Sequence, residues 1–130
     1  MIKQILSRAG MASAFTVMTA VTLAGEPKAF DQNAFTKAKA EGKTIAVAFH
    51  ADWCGICKKQ AAVIPQILKE EKFQEVLVFT ADYDKEKELK KQLKVVGQST
   101  LVVFKGEKEM GREQGITAAA SISKLLAKGL

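Results

Sequence analysis

The chain has 130 residues, 48% of them hydrophobic, and a formal charge of +6. That length supports one globular domain with a real core, so its two cysteines are not needed as a structural staple. With Lys3 and Arg8 set aside in the N-terminal segment, the charge falls by two to +4, and basic residues alternate with acids, as in Lys85-Glu86-Lys87-Glu88; a nucleic-acid-binding stripe is disfavoured against a mixed, solvated surface.

Residues 1–24 read as an export signal. Lys3 and Arg8 supply a positive start, no acid precedes Glu26, and Ala9 to Ala24 is small and apolar. Thr22-Leu23-Ala24 places small residues at the −3 and −1 positions of a cleavage site. The apolar run is about 15 residues, short of the roughly 20 that span a bilayer. A cleaved signal is therefore preferred over an uncleaved anchor, and membrane contact is expected only through this segment. No Cys follows the run, which excludes a lipoprotein. Export places the protein in the periplasm or outside the cell, where disulfides form readily.

Residues 25–29 read as a linker, and the domain proper as 30–130. Asp31 fits an N-cap, with Phe30 and Phe35 as its hydrophobic staple. The helix is expected to end near Glu41, with Gly42 in the left-handed position beyond it. Thr44 to Phe49 is a near-continuous apolar run that suits a strand covered on both faces. After Trp53 comes a helix with Cys57, Ala61, Ile64 and Leu68 on one face, kinked or broken around Pro65. Val76 to Thr80 is a second strand. Lys85 to Lys94 is a charged helix with Leu89, Leu93 and Val96 on its apolar face. Thr100 to Phe104 is a third strand. A hairpin turn at Lys105-Gly106-Glu107-Lys108 leads into a short fourth, about Glu109 to Gln114. Thr117 fits the cap of a last helix with Ile122, Leu125 and Leu126 inward and Gly129 just past its end. The order α-β-α-β-α-β-β-α implies an α/β fold: a central mixed sheet of about four strands with helices on both faces, in which strands separated by helices are joined by parallel right-handed crossovers and the final hairpin adds an antiparallel edge.

The chemistry concentrates in His50-Ala51-Asp52-Trp53-Cys54-Gly55-Ile56-Cys57-Lys58-Lys59, which holds both cysteines, the only Trp and the only His. A Cys reacts as thiolate, and a helix N-terminus favours that anion through its free N–H groups. Cys54 sits where the helix begins and is the expected nucleophile, exposed at its sulfur. Cys57 lies one turn further on, shielded on the apolar face, and is the expected resolving cysteine that attacks Cys54 in a mixed disulfide. A zinc site is disfavoured because Cys54, Cys57 and His50 fall short of four ligands. An inert structural disulfide would close a loop too short to restrict the unfolded chain much. No cofactor is called for.

Trp53-Cys54-Gly55-Ile56-Cys57-Lys58, following the strand Ile45-Ala46-Val47-Ala48-Phe49, resembles the thioredoxin active site Trp-Cys-Gly-Pro-Cys-Lys. Val95-Val96-Gly97-Gln98-Ser99-Thr100-Leu101-Val102-Val103-Phe104-Lys105-Gly106 is similar to the family's Gly-x-Pro-Thr-Leu-hydrophobic-Phe-Lys segment. The likeness covers roughly Phe30 to Leu130. It implies the thioredoxin fold and dithiol–disulfide exchange with protein disulfides. It further implies a substrate contact surface formed by Trp53, Gly55, Ile56, Ser99 and Thr100. The run Ala51-Asp52-Trp53-Cys54 also resembles exported thiol:disulfide interchange proteins, which implies a membrane electron donor. Trp-Cys-Gly-x-Cys-Lys inclines the expected direction towards reduction.

Three positions depart from the family pattern. Ser99 stands where a cis-proline is usual; a cis bond before a non-proline residue costs about 2.5–4 kcal/mol, so a trans peptide or a strained exception is expected. There its hydroxyl has Cys54 as a prospective partner. Ala48 replaces a buried Asp that serves the inner cysteine as proton acceptor, leaving water or a lysine such as Lys58 for that task. His50 replaces an aromatic, either filling its slot or modulating the thiols. Two other readings accompany the oxidoreductase: a binding module of this fold with low turnover, and a copper-handling protein using Cys54, Cys57 and His50.

Overall fold

The computed structural model describes residues 26–130, together with Ala14 alone before them. The expected export signal lies outside the described residues. Ten elements follow in order: β1 (Lys28–Ala29), α1 (Gln32–Ala40), β2 (Thr44–His50), α2 (Gly55–Ile67), a 3₁₀ turn (Glu71–Phe73), β3 (Leu77–Asp82), α3 (Lys87–Leu93), β4 (Thr100–Lys105), β5 (Lys108–Gln114) and α4 (Ala119–Ala127). The strands form one mixed sheet in the order β1-β3-β2-β4-β5. β2 runs parallel to β3 and antiparallel to β4, and β5 returns antiparallel to β4 at the edge. The expected parallel crossover into the third strand is thus corrected: the segment that carries α3 starts and finishes at the end of the sheet where β3 ends, so β4 re-enters the sheet from that end.

The alternation along β2 divides the core. Ile45, Val47 and Phe49 point to one face, where they meet Phe35, Phe79, Leu89 and Phe104 beneath α1 and α3. Ala46 and Ala48 point to the other, among Ile64, Leu68, Ile122 and Leu125 of α2 and α4. Both faces are covered, which accounts for the uninterrupted apolar run in the sequence. The first face is aromatic: Phe35 has ring neighbours in Phe30 at 5.6 Å, Phe104 at 5.6 Å and Phe79 at 6.2 Å. Such tilted and edge-on pairs add to simple area burial.

Several local expectations hold. The Asp31 carboxylate accepts from the N–H of Asn33 at 2.9 Å and of Ala34 at 3.4 Å. Phe30 packs on Phe35 as the staple requires, and Gly42 takes φ +73° after the C-cap Glu41.

Others are corrected. The segment read as a linker contributes β1, which pairs Lys28 with Phe79 and Ala29 with Thr80, so the sheet has five strands. Phe30 N–H extends this pairing to Thr80 O at 2.9 Å. α2 is unbroken through Pro65. Pro65 lies one turn from the helix end, where few bonds depend on it; Leu68 N–H still reaches Ile64 O at 3.1 Å, and burial of Ile64, Ile67 and Leu68 holds the last turn down.

The inward face of α2 carries Gln60 rather than Ala61, since a 3.6-residue repeat admits either three or four steps from Cys57. Val96 is 91% exposed, and Val95 is buried in its stead. α3 ends at Leu93 because Lys94 turns left-handed at φ 55°, rotating the following residues off the helical repeat. Arg112 of β5 closes that end, donating to Leu93 O at 2.7 Å and Lys94 O at 3.3 Å. Thr117 does not cap α4; its N-cap is Ala118, with no side-chain bond.

Candidate active site

β2 ends at His50, and the chain turns through Ala51–Trp53 into α2. Cys54 is the N-cap of α2, with extended backbone angles, and its sulfur accepts the N–H of Cys57 at 3.1 Å. The N–H of Cys54 in turn reaches Ala51 O at 3.0 Å, which tightens the loop. Both thiols are free. The expected exposure of Cys54 is modest, since the residue is 6% exposed against 1% for Cys57. Ala51, Cys57 and the half-buried Tyr83 close around it. Its neighbours Trp53 (63% exposed) and Ile56 (44%) stand out on either side, with Gly55 also at the surface. The arrangement offers one sulfur at the foot of an apolar rim and a second sulfur beneath it.

Cys57 points its thiol at Phe49 O, 3.8 Å away. Burial pushes this thiol up from its ordinary value, and a hydrogen bond with Cys54 adds to the rise; the backbone N–H groups of Ala51 and Ser99 oppose it. Ala48 supplies no carboxylate at the place where the family carries its Asp.

The Ser99 turn abuts the pair. Ser99 is buried, its peptide bond to Gln98 is trans, and its φ is +61°. A left-handed L-residue is disfavoured by about 1–2 kcal/mol, so strain has moved from the peptide bond into φ. Ser99 N–H donates to Phe49 O at 2.9 Å, and Gly115 N–H donates to Ser99 O at 3.1 Å. The Thr100 hydroxyl closes the turn on Gly97 O at 2.6 Å. Among the described residues no hydrogen bond joins the Ser99 hydroxyl to Cys54. The backbone, rather than the hydroxyl, meets the dithiol.

His50 pairs with Asp52, its Nε2 3.2 Å from Asp52 Oδ1, and among the described residues it makes no hydrogen bond to either sulfur. Among the described residues no group of three or more His, Cys, Asp and Glu side chains converges to hold a metal ion. The copper-handling arrangement of Cys54, Cys57 and His50 is therefore not assembled. Lys58 and Lys59 face solvent.

Three contributors escape sequence reasoning. Asp84 anchors the exposed Trp53 ring, accepting from its Nε1 at 2.8 Å. Asp82 shapes the loop that presents Asp84, accepting from the N–H of Asp84 at 2.9 Å and of Lys85 at 3.1 Å. An Asp two and three residues before its donors is a recognisable turn signal, though nothing local ties it to Trp53. The third is Gln60, whose signal was a polar residue three steps after Cys57 on a helix with a buried face.

A free dithiol on the first turn of a helix, beneath an apolar rim and just past the end of the central strand of a mixed sheet covered on both faces, defines a thiol–disulfide oxidoreductase. Comparison with known proteins gives the family. The thioredoxin family model matches residues 26–128. A thioredoxin H-type protein of Fagopyrum esculentum is 35% identical over 81 residues, covering 62% of this chain and 68% of that one. A thioredoxin of Chlamydia muridarum is 32% identical over 97 residues, covering 75% and 92%. Among solved structures, Trxlp from Edwardsiella tarda EIB202 superposes with a TM-score of 0.75 at 30% identity, over 78% of this chain and 98% of that one. The chain belongs to the thioredoxin family.

Proposed function

We propose that this protein is an exported dithiol reductase acting on disulfides of other exported proteins, with Cys54 as nucleophile and Cys57 as resolving cysteine. The observation that carries the assignment of roles is the placement of the two sulfurs: Cys54 at the helix N-cap under the exposed Trp53 and Ile56, Cys57 buried one turn behind it.

The thiolate of Cys54 attacks one sulfur of a partner disulfide, breaking that S–S bond and releasing the other sulfur as thiolate. Cys57, deprotonated, then attacks Cys54 Sγ and displaces the second partner thiolate. Two electrons have passed to the partner, and a Cys54–Cys57 disulfide remains. A donor dithiol must reduce it again. The run Ala51-Asp52-Trp53-Cys54 supports a membrane reductase in that role, and Lys3, Arg8 and the apolar stretch after them support export. Trp53, Gly55 and Ile56 are the exposed surface a partner would meet, with the buried Ser99-Thr100 turn behind them, while His50, paired with Asp52, acts on the thiols only indirectly.

The test is insulin reduction driven by dithiothreitol, paired with the potential of the Cys54–Cys57 couple. Turnover that vanishes in Cys54→Ser, with a potential near the −270 mV typical of thioredoxins, is the expected result. Equal rates in the two proteins would dismiss the catalytic assignment in favour of a binding module. A potential near the roughly −120 mV of strong oxidants would reverse the direction.

A further inference from the structure

We infer that Gln60 is a positioning residue for the dithiol reaction: its buried side-chain amide clamps the left-handed Ser99 turn against the cysteine pair. Gln60 is 2% exposed and lies on the same face of α2 as Cys57. Its Nε2 donates to Ser99 O at 3.1 Å and to Ile116 O at 2.8 Å, using both hydrogens on carbonyls 39 and 56 residues away in sequence. One side chain thus ties the catalytic helix to two separate segments, the turn before β4 and the approach to α4.

Ser99 needs such a clamp. It holds φ +61° without being glycine, so nothing in its own stereochemistry keeps it there. Its peptide groups are gripped from two sides instead. The N–H is held by Phe49 O at the end of β2, and the C=O by Gln60 and Gly115. Phe49 O is also the group that Cys57 Sγ meets, so the turn and the inner sulfur share one anchor. Releasing the Gln60 bond leaves the Ser99 carbonyl to the Gly115 N–H alone while the Ser99 N–H stays on Phe49 O, and with the weaker grip the turn can relax towards negative φ. That rotation reorients the Ser99–Thr100 backbone next to the cysteine pair, the wall against which a partner chain would lie. The consequence falls on partner docking rather than on the sulfur chemistry itself.

This inference rests on the oxidoreductase reading, and its test separates the two. Gln60→Met keeps the length and apolar bulk of the side chain while removing both donors. In insulin reduction its KM is expected to rise about tenfold, with kcat within about twofold of the parent, the scale of losing one or two buried hydrogen bonds. Adding Ser99→Gly should restore most of the KM, because glycine adopts positive φ without penalty. A folded Gln60→Met with parental KM, or a double variant no better than the single one, overturns the proposal. Should Gln60→Met fail to fold, the unaltered protein still decides. The Gln60 side-chain amide protons should exchange with solvent far more slowly than those of the exposed Gln66; equal exchange rates would overturn the clamp. A parent protein that fails to reduce insulin removes the oxidoreductase reading and leaves the exchange result standing on its own.

Discussion

Among the described residues no carboxylate acts on Cys57, which sits against a carbonyl, Phe49 O, that stabilises a thiol rather than a thiolate. Its ionisation is therefore held back, first by burial and then by its bond with Cys54. Two consequences follow for pH. In the reduced protein, folding favours the neutral thiol, so its contribution to stability is complete below the ordinary thiol value of 9.0 and is lost as pH rises through the higher folded value. Thermal melts of the reduced protein should fall from about pH 9 upward, and the fall should be shallower in Cys57→Ala. In the reaction, resolution of a mixed disulfide by Cys57 should quicken with pH, with a log-rate slope of about one per unit below the folded pKa. A rate independent of pH between about 7 and 9 would mean that a base outside the inner shell removes the proton. The cysteines themselves were legible in the sequence, because a Cys-x-x-Cys between an apolar strand and a helix has few other uses. Gln60 was not legible as a contact. Its partners, Ser99 and Ile116, are remote in sequence, and a helical repeat that includes Cys57 accommodates position 60 or 61 equally well.

Elements with local punctuation were the ones the sequence announced. α1 combines an Asp N-cap, a Phe30–Phe35 staple and a glycine beyond its end, three signals within a dozen residues, and it forms where they place it. The cap is testable in isolation, because Asp31 is exposed and its two bonds go only to the first turn of α1. Asp31→Ala should lower stability by about 1 kcal/mol, seen as a lower denaturant midpoint with an unchanged m-value. Elements that depend on distant partners were not announced. β1 is two exposed residues with no periodicity to read, and it exists because the edge of β3 offers Phe79 and Thr80 as pairing partners. α3 stops one residue early because Lys94 turns left-handed, and Arg112, 18 and 19 residues on, supplies the donors its last carbonyls need. α4 begins without any side-chain cap. Burial of Ile122, Leu125 and Leu126 against the sheet is what fixes it, in keeping with the larger share that packing takes in helix stability.

At the scale of the whole molecule, strand direction gathers the site at one end of the sheet. β2 and β3 are parallel, so Cys54 after the first and Asp84 after the second emerge side by side, and the Trp53–Asp84 bond joins them. β4 is antiparallel to β2, so its beginning, not its end, lies at the same edge and brings Ser99 to Phe49 O. Three segments separated in sequence meet because of two pairings; the alternation of strands and helices announced the parallel one, but the helix before β4 pointed to another parallel crossover, and the antiparallel course of β4 was not legible. The opposite end of the sheet is closed by packing. There the C-terminus docks: the Thr44 hydroxyl donates to Gly129 O at 2.5 Å, and Gly129 lies so close to β2 and β4 that a β-carbon would stand 2.6 Å from Thr44 Cγ2 and 2.9 Å from Val103 Cγ1. Neither neighbour is the free end of a long chain, so the backbone after α4 would have to move away. Gly129→Ala should therefore destabilise the fold by about 1–3 kcal/mol, the usual scale of overpacking. Because Thr44 begins the strand that ends at His50, the strain enters at the end remote from the dithiol. Insulin reduction by the folded variant should match the parent in kcat and KM, while its melting temperature falls. A loss of turnover in protein shown to be folded would mean that the two ends of the sheet are coupled, and that the C-terminal contact helps to set the position of Cys54 and Ser99.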